Sequence, residues 1–225
     1  MLVLQRDNLH LGGFAGLKEH RLVTDRRVWG RSAAQGAWDG IGNFVYLADA
    51  RFMPKGETRM HPHKEIDVIS FMLEGRIAHE GSLEHGEELK NYDVQVQRAG
   101  GEGFEHNEVN PDDDWNRMIQ LWVVPEVAGQ AAAYKKYEPS MGQVTRIYGG
   151  EDTQAETFAA KTEISVALLE ANQEINLKGD LMAYVTKGTG LANDEIVREG
   201  DLIRDKDLQF IANNDVHLIL IQYQQ

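Results

Sequence analysis

Gly56-Glu57-Thr58-Arg59-Met60-His61-Pro62-His63-Lys64-Glu65-Ile66-Asp67, answered downstream by Ala99-Gly100-Gly101-Glu102-Gly103-Phe104-Glu105-His106-Asn107-Glu108-Val109-Asn110, is the text that decides the fold. Each string carries a pair of metal-capable residues spaced i, i+2: His61 with His63, and His106 with Glu108. Side chains alternate faces along a β-strand, so each pair projects from one strand to the same side of a sheet. Three imidazoles and one carboxylate can then converge on a single cation. Pro62 has no amide to donate, which suits the start or edge of a strand and restricts the backbone between the two histidines.

The bland readings of these residues are weaker. One HxH in a strand is commonly a surface pair, and a glutamate in an acidic chain is commonly solvated, but two spaced pairs in sequence favour ligation. Glu108, two residues after His106, is read as the fourth ligand. Asp67 and Glu65 share parity with His61 and His63 if the strand is regular. Asp67 is then expected to orient an imidazole through its other nitrogen, with direct ligation the alternative. The two carboxylates together would make the site more anionic and favour a higher oxidation state of a redox metal.

His79 and His85 flank Glu80-Gly81-Ser82-Leu83-Glu84 and are expected at an exposed hairpin. His10, His20 and His217 lack any partner pattern. Gly12-Gly13-Phe14-Ala15-Gly16 and Gly100-Gly101-Glu102-Gly103 read as turns, because neither has the strand, loop and helix context of a phosphate site. No Gly-x-Ser-x-Gly elbow is present, which removes the basis for a serine hydrolase. Phe104, Ile69, Phe71 and Met118 are expected in the core or the pocket wall.

Composition narrows the chemistry further. The 225 residues include no cysteine, which excludes disulfides, thiolate nucleophiles and thiolate zinc sites. A metal must sit on histidine and carboxylate, donors that suit iron, manganese, nickel or copper. The formal charge of -13 disfavours direct contact with nucleic acid, while leaving a protein partner open. Met1-Leu2-Val3-Leu4-Gln5-Arg6-Asp7 lacks the basic start and apolar run of a signal peptide, and no stretch has the length of a membrane span. The expectation is a cytoplasmic monomer with no membrane attachment.

Strand-like alternation punctuated by glycine dominates, so the fold class is all-β. Strands are expected at 44–52, 67–73, 93–97, 118–124, 164–169, 181–186 and 216–223. The alanine-rich text at 126–134 favours a helical turn or two, with Gly129 against it. Turn-formers at Pro139-Ser140-Met141-Gly142 and Gly149-Gly150-Glu151-Asp152 mark an interdomain crossing. Met72-Leu73-Glu74-Gly75 is echoed by Tyr184-Val185-Thr186-Lys187-Gly188, which suggests a duplicated barrel. The expected domains are 1–138, which binds metal, and 139–225, which lacks any HxH or HxE string and is metal-free.

The two motif strings resemble those of the cupin superfamily and, more closely, of its pirin branch, where H-P-H-[RK]-x-x-E is followed by A-G-x-G-[IF]-x-H-x-E. Leu73-Glu74-Gly75 and Gln120-Leu121-Trp122-Val123 extend the likeness, which covers residues 45 to 125 well. The departures are one extra residue between Gly100 and Gly103, Glu65 where the family often has glycine, and Asp67 where it has glutamate. The resemblance implies a bicupin, two β-barrels with few short helices. It also implies a mononuclear iron-type site on His61, His63, His106 and Glu108. Iron(II) is the first choice of ion, with Mn, Ni, Cu, Co and Zn as alternatives.

For several members the resemblance implies a dioxygenase that opens the heterocycle of quercetin, so the expected partners are a small aromatic substrate such as a flavonol and O2. Glu108 is the expected catalytic base for the flavonol proton. Resemblance to eukaryotic pirins implies the alternative of a metal- or redox-sensing interaction protein. A cupin isomerase acting on a small sugar or keto acid is third, with only Arg59, Lys64, Arg98 and Arg117 near the motifs to hold an anion.

Overall fold

The computed structural model describes residues 1–83 and 87–224. Among them the regular secondary structure is nearly all strand. The exceptions are one short helix, α1 (Arg26–Trp29), capped by the Asp25 side chain on the Arg27 amide, and two 3-10 turns at Arg6–Asn8 and Gly30–Ser32.

In chain order the strands are β1 (Leu2–Gln5), β2 (Leu11–Phe14), β3 (Leu17–Thr24), β4 (Phe44–Phe52), β5 (His61–His63), β6 (Asp67–Glu74) and β7 (Ile77–Gly81). Next come β8 (Glu88–Leu89), β9 (Val94–Arg98), β10 (Phe104–Val109), β11 (Arg117–Val123), β12 (Ala133–Tyr137) and β13 (Gln143–Gly150). The last are β14 (Ala160–Leu169), β15 (Glu174–Lys187), β16 (Thr189–Ala192), β17 (Glu195–Arg198), β18 (Asp201–Ala212) and β19 (Val216–Tyr223).

Two compact units result, one of Leu9–Glu138 and one of Met1–Asn8 with Pro139–Gln225. The first eight residues therefore fall outside the unit expected for them. Leu2 to Gln5 pair antiparallel with Arg204 to Asp201 of β18, and this ladder ties the N-terminus to the second unit.

The unit of residues 9–138 has two antiparallel sheets, a seven-stranded one in the order β12-β9-β6-β11-β4-β3-β2 and a four-stranded one in the order β5-β10-β7-β8. Phe44–Phe52 is almost wholly buried, as a central strand must be, with Asp49 and Arg51 the charged residues on one of its otherwise apolar faces. Leu17, Ala50, Phe52, Met72, Ile77, Leu89 and Met118 form one core cluster, and Val68, Ala99 and Phe104 form another. Ile69, Phe71 and Met118 are all buried.

The other unit is one eight-stranded sheet in which β19 lies between β14 and β15, and its first six residues, Val-His-Leu-Ile-Leu-Ile, are all buried. Its core includes Leu181, Ala183, Val185, Phe210, Leu218 and Leu220. The strand expected at 181–186 is the latter half of a strand of 14 residues.

No helix forms at 126–134. Ala133–Tyr137 is instead a strand whose partners run from Ala133↔Arg98 to Tyr137↔Val94. Pairing with the edge of the larger sheet overrides the helix propensity of the alanines, and Gly129 at φ 76 breaks any helical path before them. None of the described helices is long and apolar enough to cross a membrane.

Candidate metal centre

Strand β5 lies at the edge of the four-stranded sheet, where Pro62 costs no interior ladder bond. It pairs with β10 in the register His61↔His106 and His63↔Phe104, which brings the two motif strings side by side. Gly103, at φ 78, turns the chain into β10, and a Cβ there would press on the His63 carbonyl. On its other side β10 pairs with β7, where Gly81 faces His106 so closely that a Cβ would meet the His106 backbone.

Three ring nitrogens converge as a result. Nε2 of His106 stands 3.0 Å from Nε2 of His61 and 3.1 Å from Nε2 of His63. The donor atoms of these three residues all lie within 4.8 Å of one another. His106 is fully buried and His63 nearly so, while His61 is half-exposed and leaves one side open. Burial pushes the His63 imidazole down to about 4, helped by the nearby His61, and depresses His106 strongly, with the neighbouring histidines adding to the effect. Both rings are neutral at physiological pH, the form that ligates.

The Nδ1 of His61 lies 2.8 Å from the Arg59 carbonyl, which can only accept, so this nitrogen donates to it and Nε2 is the one turned to the other two rings. Arg59 adopts φ 67, the turn that brings its carbonyl under the ring. Imidazoles packed nitrogen to nitrogen at this spacing form a donor set that a cation completes, so the residues present fit a bound metal ion.

Glu108 does not join the group of three. Its fully buried carboxylate accepts from Ser70 Oγ at 2.9 Å and from Gln120 Nε2 at 3.3 Å, with Gln95 Nε2 at 3.5 Å. Burial raises its pKa to about 7, and the bonds from Ser70 and Gln120 oppose the rise.

The wall beside His63 is aromatic. Phe104 lies at 5.2 Å and Trp122 edge-on at 5.4 Å, ring centre to ring centre. Trp122 continues into Tyr46 at 4.6 Å and Trp29 of α1 at 5.7 Å.

A family model described as Pirin matches residues 33–123. A Pseudomonas aeruginosa protein provisionally named a quercetin 2,3-dioxygenase is 30% identical over 175 residues, which are 72% of this chain and 75% of that protein. The chain belongs to the pirin family. A Caulobacter vibrioides pirin-like protein is 28% identical over 72% of this chain and 75% of its own. Among solved structures, a bacterial pirin from Escherichia coli in complex with nickel(II) superposes with a TM-score of 0.83, covering 100% of this chain and 99% of that one at 16% identity. This pirin is therefore a bicupin.

Several expectations need correction in this pirin. His79, expected on an exposed hairpin, is fully buried on β7, its Nε2 3.3 Å from His106 Nδ1 and 3.0 Å from Gln97 Nε2. Its presumed counterpart His85 lies outside the described residues. The strand parity that placed Glu65 and Asp67 beside the ligands fails, because β5 and β6 belong to different sheets and Glu65 between them turns at φ 52. Glu65 Oε1 accepts from the Gly129 amide at 2.9 Å, and Asp67 lies 3.5 Å from Arg98 Nε. The positive φ is a conformation that glycine adopts without steric cost. The role expected of Asp67 is filled instead by the Arg59 carbonyl and by Gln97, whose Oε1 is 3.1 Å from His106 Nδ1. Gln95-Val96-Gln97, two amides on one face of a strand, was the sequence signal for that buried polar row.

Proposed function

We propose that this pirin is a metal-dependent oxidoreductase of the quercetin 2,3-dioxygenase type, opening the heterocycle of a flavonol with O2. The observation that carries the reading is the convergence of His61, His63 and His106, half-open on the His61 side and walled by Phe104 and Trp122. The three imidazoles would hold one divalent ion. Iron(II) is the first choice of ion, with manganese, nickel, copper, cobalt and zinc as alternatives, since imidazole donors suit all of them. A bound ion supplies Lewis-acid polarisation of the substrate oxygen and a route for electrons.

The chain's own residues do the rest. Phe104 and Trp122 offer ring faces and edges against which a flat aromatic substrate packs, and they exclude water from that side. Glu108 is proposed as the acceptor of the flavonol hydroxyl proton and as the fourth donor to the ion. Its support is its place two residues from His106 and its complete burial.

Iron- and nickel-loaded protein, mixed with quercetin, should consume O2 and bleach the flavonol absorbance, and protein freed of metal should not. Loaded protein that binds quercetin without oxygen uptake would sink the enzymatic reading. Glu108→Gln separates the two parts given to Glu108: loss of metal marks a ligand, whereas retained metal with lost turnover marks a base.

A further inference from the structure

A neutral His106 has one ring proton, and its position decides whether Nε2 can serve a metal at all. With the proton on Nε2, the ring would donate to His61 or His63, and the three nitrogens would close into a hydrogen-bonded cluster. With the proton on Nδ1, Nε2 offers a lone pair. We propose that Gln97 is the positioning residue that selects the second state, its side-chain oxygen taking the Nδ1–H of His106. The inference rests on the reading of His61, His63 and His106 as metal ligands.

The orientation of the Gln97 amide is set by a chain of contacts that begins at Glu108. Gln95 turns its NH2 toward Glu108 Oε1, 3.5 Å away, and toward Ser70 Oγ at 3.4 Å. That orientation leaves the Gln95 carbonyl oxygen buried without a hydrogen-bond partner. The same NH2 lies 3.5 Å from Gln97 and therefore meets its oxygen rather than its nitrogen. Gln97 Oε1 then faces His106 Nδ1 at 3.1 Å, and its NH2 donates to His79 Nε2 at 3.0 Å. His79 thereby becomes an acceptor that holds the amide against flipping, and its Nε2, 3.3 Å from His106 Nδ1, is a second and longer acceptor for the same proton. Gln95 and Gln97 project from β9 of the larger sheet, so the polarity of a ligand on the smaller sheet is imposed from across the unit's interior. All six side chains are buried, which makes each contact directional and hard to replace by water.

The test uses the full chain labelled with nitrogen-15 at histidine. In metal-free wild type, long-range proton–nitrogen spectra should show His106 with a pyrrole-type Nδ1 and a pyridine-type Nε2. Gln97→Leu should give mixed or inverted tautomers and raise the nickel(II) dissociation constant about ten- to a hundredfold, the usual cost of losing a partner that orients a ligand. Gln97→Met does the same job if the leucine variant fails to fold. Gln97→Glu keeps an acceptor and should keep both the wild-type tautomer and nickel affinity within a few-fold, a rescue that a merely space-filling role would not give. Wild-type tautomer and affinity in Gln97→Leu or Gln97→Met would overturn the proposal while leaving the metal site intact. Wild type that binds no nickel would overturn the ligand reading and the proposal with it.

Discussion

Each buried imidazole of the centre is neutral because water is excluded around it, so no proton competes with a metal ion near pH 7. Removing one of the three converging imidazoles breaks the donor set that holds the ion. His63→Ala and His106→Ala should therefore lose metal that wild type retains near one per chain, while His217→Ala retains it, all read by elemental analysis. Equal retention in every variant would reject the assignment. At this scale the sequence was transparent where donors are spaced i, i+2 along one strand, as in His61/His63. It was opaque where the partner arrives from another strand. His79 reaches the centre through the pairing of β7 with β10, and Gln97 through the position of β9 in the other sheet. Neither contact is encoded by local periodicity.

The link between β5 and β6 shows how one residue's φ decides what a strand can present. At Glu65 the backbone is left-handed, which glycine tolerates at no steric cost, but the side chain also takes the Gly129 amide. These effects oppose each other, so Glu65→Gly should shift stability by less than about 1 kcal/mol in denaturant unfolding. It should leave the midpoint potential of the iron-loaded protein unchanged, because the carboxylate is turned toward residue 129. A potential that rises in the variant would restore the carboxylate to the metal's surroundings.

Between β4 and β11 the coupling is ionic: Arg117 grips Asp49 with Nε at 2.9 Å and a second nitrogen at 2.6 Å, both residues being buried. Asp49→Ala removes the carboxylate from this buried guanidinium and should cost about 3–5 kcal/mol, measurable as a lowered unfolding midpoint. Strands such as β4 and β19 were legible from apolar runs bounded by turn-formers. β12 was not, since its alanines prefer helix until an edge strand is there to pair with.

Across the molecule, acid should act on the two units through different groups. In the unit that contains β19, His217 is buried beside Lys187, and these two influences hold its imidazole down to about 4. The unfolded chain takes up that proton near pH 6.5, so the folded state has its full stability above that value. It loses stability progressively as pH falls from 6.5 to about 4, by roughly 3 kcal/mol from this group. His217→Leu should flatten that part of the stability–pH curve, followed by hydrogen exchange in β14, β15 and β19. A curve of unchanged slope would show that the ring is protonated in the fold. The division near residue 139 followed from turn-forming composition, whereas the return of residues 1–8 to the second unit rests on a ladder between positions about two hundred apart in sequence, which no local signal marks.

The ring stack that begins at His63 makes the centre self-reporting in light. Trp122 sits edge-on to a ligand, with Trp29 and Tyr46 stacked behind it, whereas Trp115 is half-exposed and lies outside that stack. A paramagnetic ion such as nickel(II) would drain excitation from the stacked indoles and spare the solvated one. Titration should therefore dim the emission only in part and move what remains to longer wavelength. In Trp122→Phe most of that change should vanish while metal content stays at the wild-type level, giving occupancy a colour that needs no added dye.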